Sequence, residues 1–110
     1  MENLFSYGTL QEDRVQREVF GHSLVGTADA IIGYRLAAFT ISDAKAIAIS
    51  GRAEHTMLEP TGRDADQIEG TVFKLTAEEL GQADAYEDVA YKRIQVCLRS
   101  GSRAWVYVRA

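Results

Sequence analysis

The feature that most constrains the fold is a helix start signal in the last third of the chain. Thr76 and Glu79 have the spacing of a capping box, in which each side chain accepts a hydrogen bond from the other residue's backbone N–H. Leu75 and Leu80 flank this box at the spacing of a hydrophobic staple. Because the two signals agree, we predict a helix from about Ala77 to Tyr86.

The residues after this helix alternate with the period of a β-strand. Ile94, Val96 and Leu98 share one face of the pattern, and polar residues share the other. The segment "SGS" supplies a turn, and "AWVYV" returns as a partner strand with Trp105 and Tyr107 on one face. The capped helix is therefore expected to lead into a β-hairpin.

Other elements are predicted upstream of this unit. The segment "QEDRVQREVFGHS" indicates a short amphipathic helix that ends at Gly21. Strand patterns occur in "LVGTADAIIGYRLAAF", "AKAIAIS" and "IEGTVFKL", and the polar "EPTGRDAD" predicts a loop. Gly26 and Gly33 indicate bends within the first of these runs. We expect one α+β domain over residues 1–110, with a curved or closed sheet and helices at its margins.

Composition excludes several classes of protein. With 110 residues, the folded chain can bury about 65% of the surface that it exposes when unfolded. The net charge of −4 argues against nucleic-acid binding. No apolar run is long enough to span a membrane, and the first residues lack the pattern of a signal peptide, so we expect a cytoplasmic protein.

Metal and nucleophile chemistry find little support in the sequence. Cys97 is the single cysteine, which excludes an internal disulfide, and its place in a strand pattern predicts a small apolar filler. His22 and His55 are isolated and are expected to be surface or hydrogen-bonded residues. We therefore expect neither a metal nor a cofactor.

Two segments carry the remaining candidate chemistry: "YGTL" near the start and "ADAYEDVAYKR" near the end. In the second, Asp84, Glu87 and Asp88 gather where the capped helix should finish. The negative end of the helix dipole and the neighbouring acids oppose ionisation, and burial would raise the pKa of Glu87 further. Such a carboxyl group can move protons near neutral pH, whereas a solvated one is only a surface charge.

Together, these segments resemble the γ-glutamylcyclotransferase-like superfamily, in particular the AIG2-like branch that includes γ-glutamylamine cyclotransferase. The family opens with a strand ending in Y-G-T/S-L, continues with G-x-x-F/Y-x-L before a helix, and then shows D-x-Y-E, an aromatic-and-arginine segment and a closing hairpin. The matching positions, which span nearly the whole chain, are Tyr7 to Leu10, Gly70, Phe73, Leu75, Asp84, Tyr86, Glu87, Tyr91, Arg93 and Val106 to Val108.

The resemblance implies a fold and a reaction. The fold is a small mixed β-barrel with flanking short helices and a cavity at the end of the first strand. The reaction is a cofactor-independent intramolecular cyclisation, of transferase or lyase type. The free α-amine of a small-molecule γ-glutamyl substrate attacks its own γ-carbonyl carbon, giving 5-oxoproline and releasing the attached amine or amino acid.

The resemblance also assigns roles to residues. Glu87 would act as the general base and acid, because the substrate supplies its own nucleophile. Backbone N–H groups around Gly8, Thr9 and Leu10 would bind the substrate carboxylate or the oxyanion. Tyr7 would line the pocket and Tyr91 would cover the ring, although packing within the barrel explains both equally well.

Several alternatives remain open at this stage. Tyr86 fits the core, and Arg93 fits a salt bridge on the polar face of its strand better than a substrate contact. A binding module for a small anionic metabolite on the same scaffold is the main alternative to an enzyme, and an interaction protein that uses the hairpin edge is a third. The central region from Arg35 to Asp66 departs most from the family pattern, so the leaving amine stays undetermined.

Overall fold

The computed structural model describes residues 1–40, 54–87 and 91–109. Over these residues the chain forms seven strands, two α-helices and one 3₁₀ turn (Thr9–Gln11). In chain order they are β1 (Glu2–Ser6), the 3₁₀ turn, α1 (Asp13–Phe20), β2 (Gly26–Ile32), β3 (Tyr34–Thr40), β4 (Glu54–Pro60), β5 (Gln67–Leu75), α2 (Ala77–Glu87), β6 (Tyr91–Cys97) and β7 (Arg103–Arg109).

The strands form a five-stranded and a two-stranded sheet. The larger sheet has the order β2-β5-β1-β7-β6, and the smaller one pairs β3 with β4. All pairs are antiparallel except β1 with β7, which run parallel. The predicted α+β class, with a curled mixed sheet and flanking helices, is confirmed, and the described strands do not close into a barrel.

Both faces of the larger sheet are buried, which places β1 at the centre of the molecule. Leu4 belongs to a cluster shared with α1 and α2, whereas Phe5 belongs to a second cluster with Leu58 of β4. The same alternation in β7 sends Tyr107 to the first cluster and Val106 to the second. Because successive strand residues point to opposite faces, a strand with two covered faces buries consecutive residues.

Helix α1 forms where the amphipathic pattern predicted it. Val15 and Phe20 are buried, and Gly21 ends the helix with φ 81°, a left-handed conformation that glycine adopts without a steric penalty. Gln16 is also buried. Its side-chain amide donates to the Leu10 carbonyl at 2.9 Å and accepts from the Leu24 N–H at 2.8 Å. This residue therefore fixes the 3₁₀ turn and the loop after α1 to the same helix.

Helix α2 begins with the predicted capping box. The Thr76 N–H donates to Glu79 Oε1 at 3.0 Å, and the Glu79 N–H donates to Thr76 Oγ1 at 3.1 Å. Leu75 and Leu80 are buried in the same cluster, as a hydrophobic staple requires. The predicted helix is confirmed and continues one residue further, to Glu87.

Other sequence predictions have mixed outcomes. The strands from "IEGTVFKL" and the C-terminal hairpin are present, and Gly33, at φ 84°, turns the chain between β2 and β3. The strand predicted in "AKAIAIS" lies outside the described residues. The prediction for Cys97 is wrong, because this side chain is exposed on β6 rather than packed as a filler. Within the described residues, no helix has the length and apolarity needed to cross a membrane.

Candidate active site

The 3₁₀ turn that follows β1 presents the segment "YGTL" at the end of the central strand. The Gly8 carbonyl accepts from the Gln11 N–H at 3.2 Å, and the Thr9 carbonyl accepts from the Glu12 N–H at 2.9 Å. Gly8 has φ −124°, and a Cβ built on it would meet no heavy atom within 4 Å. Open space therefore lies beside the Gly8 backbone.

The first N–H groups of the turn have no partner within it. Thr9 and Leu10 are its first two residues, and helical turns leave such donors without an internal acceptor. No residue that the structure describes accepts a hydrogen bond from either N–H. Both side chains are buried, so packing in the core holds the turn together with the backbone hydrogen bonds that its carbonyl groups accept.

Glu87 is the last residue of α2 and has an unusual environment. Its side chain is half-buried, and no hydrogen bond or ion pair joins it to any part of the chain that the structure describes. Desolvation by burial raises the pKa of Glu87 to about 8. At neutral pH most of this carboxyl group is therefore protonated, and it ionises just above neutrality.

The charge of this carboxyl group acts on three phenol groups. Burial is the largest cause of the raised pKa values of Tyr7, Tyr91 and Tyr107, and the charge of Glu87 raises all three further. The carboxyl group therefore lies within electrostatic reach of all three rings. Tyr7, which follows β1, and Tyr91, at the start of β6, therefore lie near the same carboxyl group.

Hydrogen bonds fix two of these phenols. The Tyr7 hydroxyl donates to the Tyr107 carbonyl at 2.7 Å, and the Tyr107 hydroxyl donates to Asp84 Oδ1 at 2.7 Å. The rings of Tyr91 and Tyr107 meet edge to face, with centroids 6.4 Å apart. The tyrosines thus form a connected wall of phenols, which are neutral near pH 7 and whose raised pKa values keep them protonated to higher pH than an ordinary tyrosine.

Asp84 and Arg93 form an ion pair beside this wall, so their charges offset each other. Arg93 Nε and Nη2 donate to the two Asp84 oxygens at 2.9 and 3.1 Å, and the guanidinium carbon lies 4.2 Å from the centroid of the Trp105 ring. The prediction that Arg93 makes a salt bridge is confirmed. Desolvation by burial is the cause of the raised pKa of Glu87.

A buried hydrogen bond connects the turn to the helix that carries Glu87. Thr9 Oγ1 and the Tyr86 hydroxyl are 2.6 Å apart, and Tyr86 lies in the first core cluster, as predicted. The sequence did not identify Tyr107 as a site residue. The signal that could have identified Tyr107 is its pairing with Arg93, a family-motif residue, in the β6–β7 hairpin.

Two other candidates lie away from this site or beyond the description. His22 is hydrogen-bonded, as expected, with Nε2 2.6 Å from Glu79 Oε2 at the opposite end of α2. Asp88 and the side chain of His55 lie outside the described part of the structure. Among the described residues, no group of three or more histidines, cysteines or acids is arranged to hold a metal ion.

Comparison with known proteins agrees with this fold. The chain resembles a structure named gamma-glutamyl cyclotransferase, with a TM-score of 0.76 and 13% identity over 99% of this chain and 66% of that one. A solution structure from Arabidopsis thaliana has a TM-score of 0.70 and 19% sequence identity, over 98% of this chain and 68% of that one. The crystal structure of an uncharacterised protein from Homo sapiens has a TM-score of 0.74 and 18% sequence identity, over 99% of this chain and 66% of that one. The chain thus spans about two thirds of the length of these structures.

No curated protein matches the sequence significantly. The model of the family described as "Gamma-glutamyl cyclotransferase, AIG2-like" matches residues 4–110, almost the whole chain. The match includes Tyr7, Glu87 and Tyr91, the candidate site residues that lie within electrostatic reach of one another. The chain therefore belongs to the AIG2-like gamma-glutamyl cyclotransferase family.

Proposed function

We propose that this protein converts a γ-glutamylamine, or a small γ-glutamyl peptide, to 5-oxoproline and a free amine or amino acid. The substrate's α-nitrogen forms a bond to its γ-carbonyl carbon, and the bond from that carbon to the departing nitrogen breaks. One proton leaves the α-ammonium and one reaches the departing nitrogen, so the reaction needs a proton carrier and no external nucleophile.

The observation that carries this proposal is the desolvated carboxyl group of Glu87. A pKa of about 8 lies close to the ordinary value of an α-amino group, roughly 7.7 to 8.0. Proton transfer between groups of similar pKa has little thermodynamic barrier in either direction. Glu87 in its ionised form would take the ammonium proton, and the resulting acid would deliver a proton to the departing amine.

The turn after β1 supports the second half of the reaction. In this proposal the N–H groups of Gly8, Thr9 and Leu10 bind the substrate carboxylate or the oxyanion that develops on the γ-carbonyl. Preorganised donors of this kind are commonly worth about 3 kcal/mol each in the transition state. The open space beside Gly8 lets a ligand approach this backbone closely.

The tyrosine wall would shape the pocket. Tyr7 and Tyr91 are neutral near pH 7, as ordinary phenols are, and burial and the Glu87 charge raise both pKa values further. Their apolar ring faces would exclude water and hold the substrate bent, with the amine close to the carbonyl. Orientation of this kind contributes a large share of the rate in cyclisation reactions.

The test is release of 5-oxoproline from a panel of γ-glutamyl amines, γ-glutamyl dipeptides and matched α-glutamyl dipeptides. We expect release from at least one γ-linked compound and from none of the α-linked controls, whose γ-carboxyl group offers no amine to displace. Binding of γ-linked compounds without release from any of them would overturn the proposal and support a binding module.

A further inference from the structure

The Thr9–Tyr86 hydrogen bond joins the two halves of the candidate site. It spans 77 positions of sequence, both residues are about 93% buried, and the two oxygens are 2.6 Å apart. Thr9 lies in the turn that carries the proposed substrate-binding N–H groups. Tyr86 immediately precedes Glu87. This bond between two side chains therefore links the turn that carries the proposed N–H donors to the residue before Glu87.

Each partner is held by its own element. The turn is fixed at Leu10, whose side chain is buried and whose carbonyl accepts from Gln16. Tyr86 packs on α2 in the same cluster as Leu80 and Ala83. Apolar contacts within a cluster are non-directional, so they hold the turn against the helix without fixing the register between the two. A short hydrogen bond is directional and can fix it.

We propose that Tyr86 is a positioning residue, which acts through its hydrogen bond to Thr9 to set the separation between the backbone N–H groups of the turn and the Glu87 carboxyl group. The consequence for catalysis rests on the proposed function, whereas the geometric effect does not. In a cyclisation the attacking amine and the carbonyl oxygen must be held at the same time, and a misplacement of about 1 Å can reduce the rate by about 100-fold.

The double variant Thr9→Val/Tyr86→Phe removes the bond with little change of shape. Removing one partner leaves a buried hydroxyl without that hydrogen bond, whereas replacing both with apolar groups of similar shape is often nearly neutral for stability. Ser100→Ala is the matched control, because Ser100 Oγ donates to Asp29 Oδ2 at 2.5 Å in the β6–β7 turn, outside the site. Thr9→Ser keeps the hydroxyl.

The experiment follows the amide resonance of Leu10 by ¹⁵N NMR while pH is raised from 6 to 10, with turnover of the best panel substrate measured in parallel. In the wild type, ionisation of Glu87 should displace this resonance. In the double variant we expect that displacement to fall at least twofold and kcat to fall about 10-fold or more, with KM changed much less. Thr9→Ser, which keeps the hydroxyl, should reduce the Leu10 displacement and kcat less than Thr9→Val does. Ser100→Ala should leave both the Leu10 displacement and kcat unchanged.

The two proposals fail separately. If the wild type releases no 5-oxoproline but the double variant shows the reduced Leu10 displacement, the proposed reaction is wrong and the positioning role stands. If the displacement in the double variant equals that of the wild type, the positioning role is overturned, whatever happens to turnover. Should the double variant not fold, Tyr86→Phe alone decides by the same comparison.

Discussion

The two ends of α2 place the same side chain in opposite electrostatic environments. Glu79, in the first turn, accepts a backbone hydrogen bond from Thr76 and interacts with His22, and these contacts lower its pKa. Glu87, in the last turn, is desolvated, and its pKa rises to about 8. A carboxylate is favoured at a helix N-terminus and disfavoured at a C-terminus. The first glutamate therefore stabilises the fold, while the second is poised to exchange protons.

The comparison is tested most strongly by removing one carboxylate at a time. Glu87→Gln should reduce kcat for 5-oxoproline release by about 100-fold or more, because general acid–base groups contribute rate factors of that size. Glu79→Gln, the matched control on the same helix, should leave kcat unchanged, since glutamine also completes a capping box. Equal losses from the two substitutions, measured under saturating substrate, would show that the helix ends do not differ in function.

The second prediction concerns stability as a function of pH. The folded pKa of Glu87 lies above its unfolded value, so its contribution to stability is complete below about pH 4.5 and is lost as pH rises to about 8. The loss is up to about 5 kcal/mol, because the rise from 4.5 to about 8 is multiplied by about 1.4 kcal/mol for each pKa unit. Urea unfolding of the wild type and Glu87→Gln from pH 5 to 9 measures it.

We expect the difference in unfolding free energy between the wild type and Glu87→Gln to change with pH over that window. The contribution of Glu79 to stability changes with pH in the opposite direction. Because its folded pKa is depressed, that contribution is present above about pH 4.5 and lost in acid. His22 has a raised pKa, and its contribution declines as pH rises above about 6.5, but it is present in both proteins and cancels. Parallel curves for the two proteins would contradict the assigned environment of Glu87.

The smallest effect is expected at the capping box. Thr76→Ala should lower the unfolding free energy by about 1 kcal/mol, because the Glu79 N–H loses its acceptor. Thr61→Ala is the control: Thr61 Oγ1 accepts from the Arg63 N–H at 3.2 Å, but in a loop. We expect a loss of only a few tenths of a kcal/mol there. A larger loss at Thr61 than at Thr76 would contradict the stabilising role assigned to the capping box of α2.

Local signals predicted the fold well. The capping box identified the start of α2 because both of its hydrogen bonds lie within four residues of sequence. Alternation identified the β6–β7 hairpin for the same reason. Cys97 was misjudged because its residue type was given more weight than its place among the polar residues of β6, where the side chain faces outward.

The site was predictable only in part. Family motifs selected Tyr7, Glu87 and Tyr91, and the structure brings them within electrostatic reach of one another. The contacts that arrange them are non-local. The bond from Tyr7 to the Tyr107 carbonyl spans 100 positions and has no sequence pattern. The sequence names burial as one possible cause of a raised Glu87 pKa but does not establish it, because desolvation depends on packing that spacing does not encode.

The central claim is that burial gives Glu87 a pKa near neutrality. The most direct measurement is a ¹³C NMR titration of the side-chain carboxyl resonances of Glu87 and Glu79 in one sample, with Glu87→Gln used to assign the first. We expect Glu87 to titrate with a midpoint of about 8 and Glu79 below its ordinary value of 4.5. A midpoint for Glu87 at or below 4.5 would contradict the account.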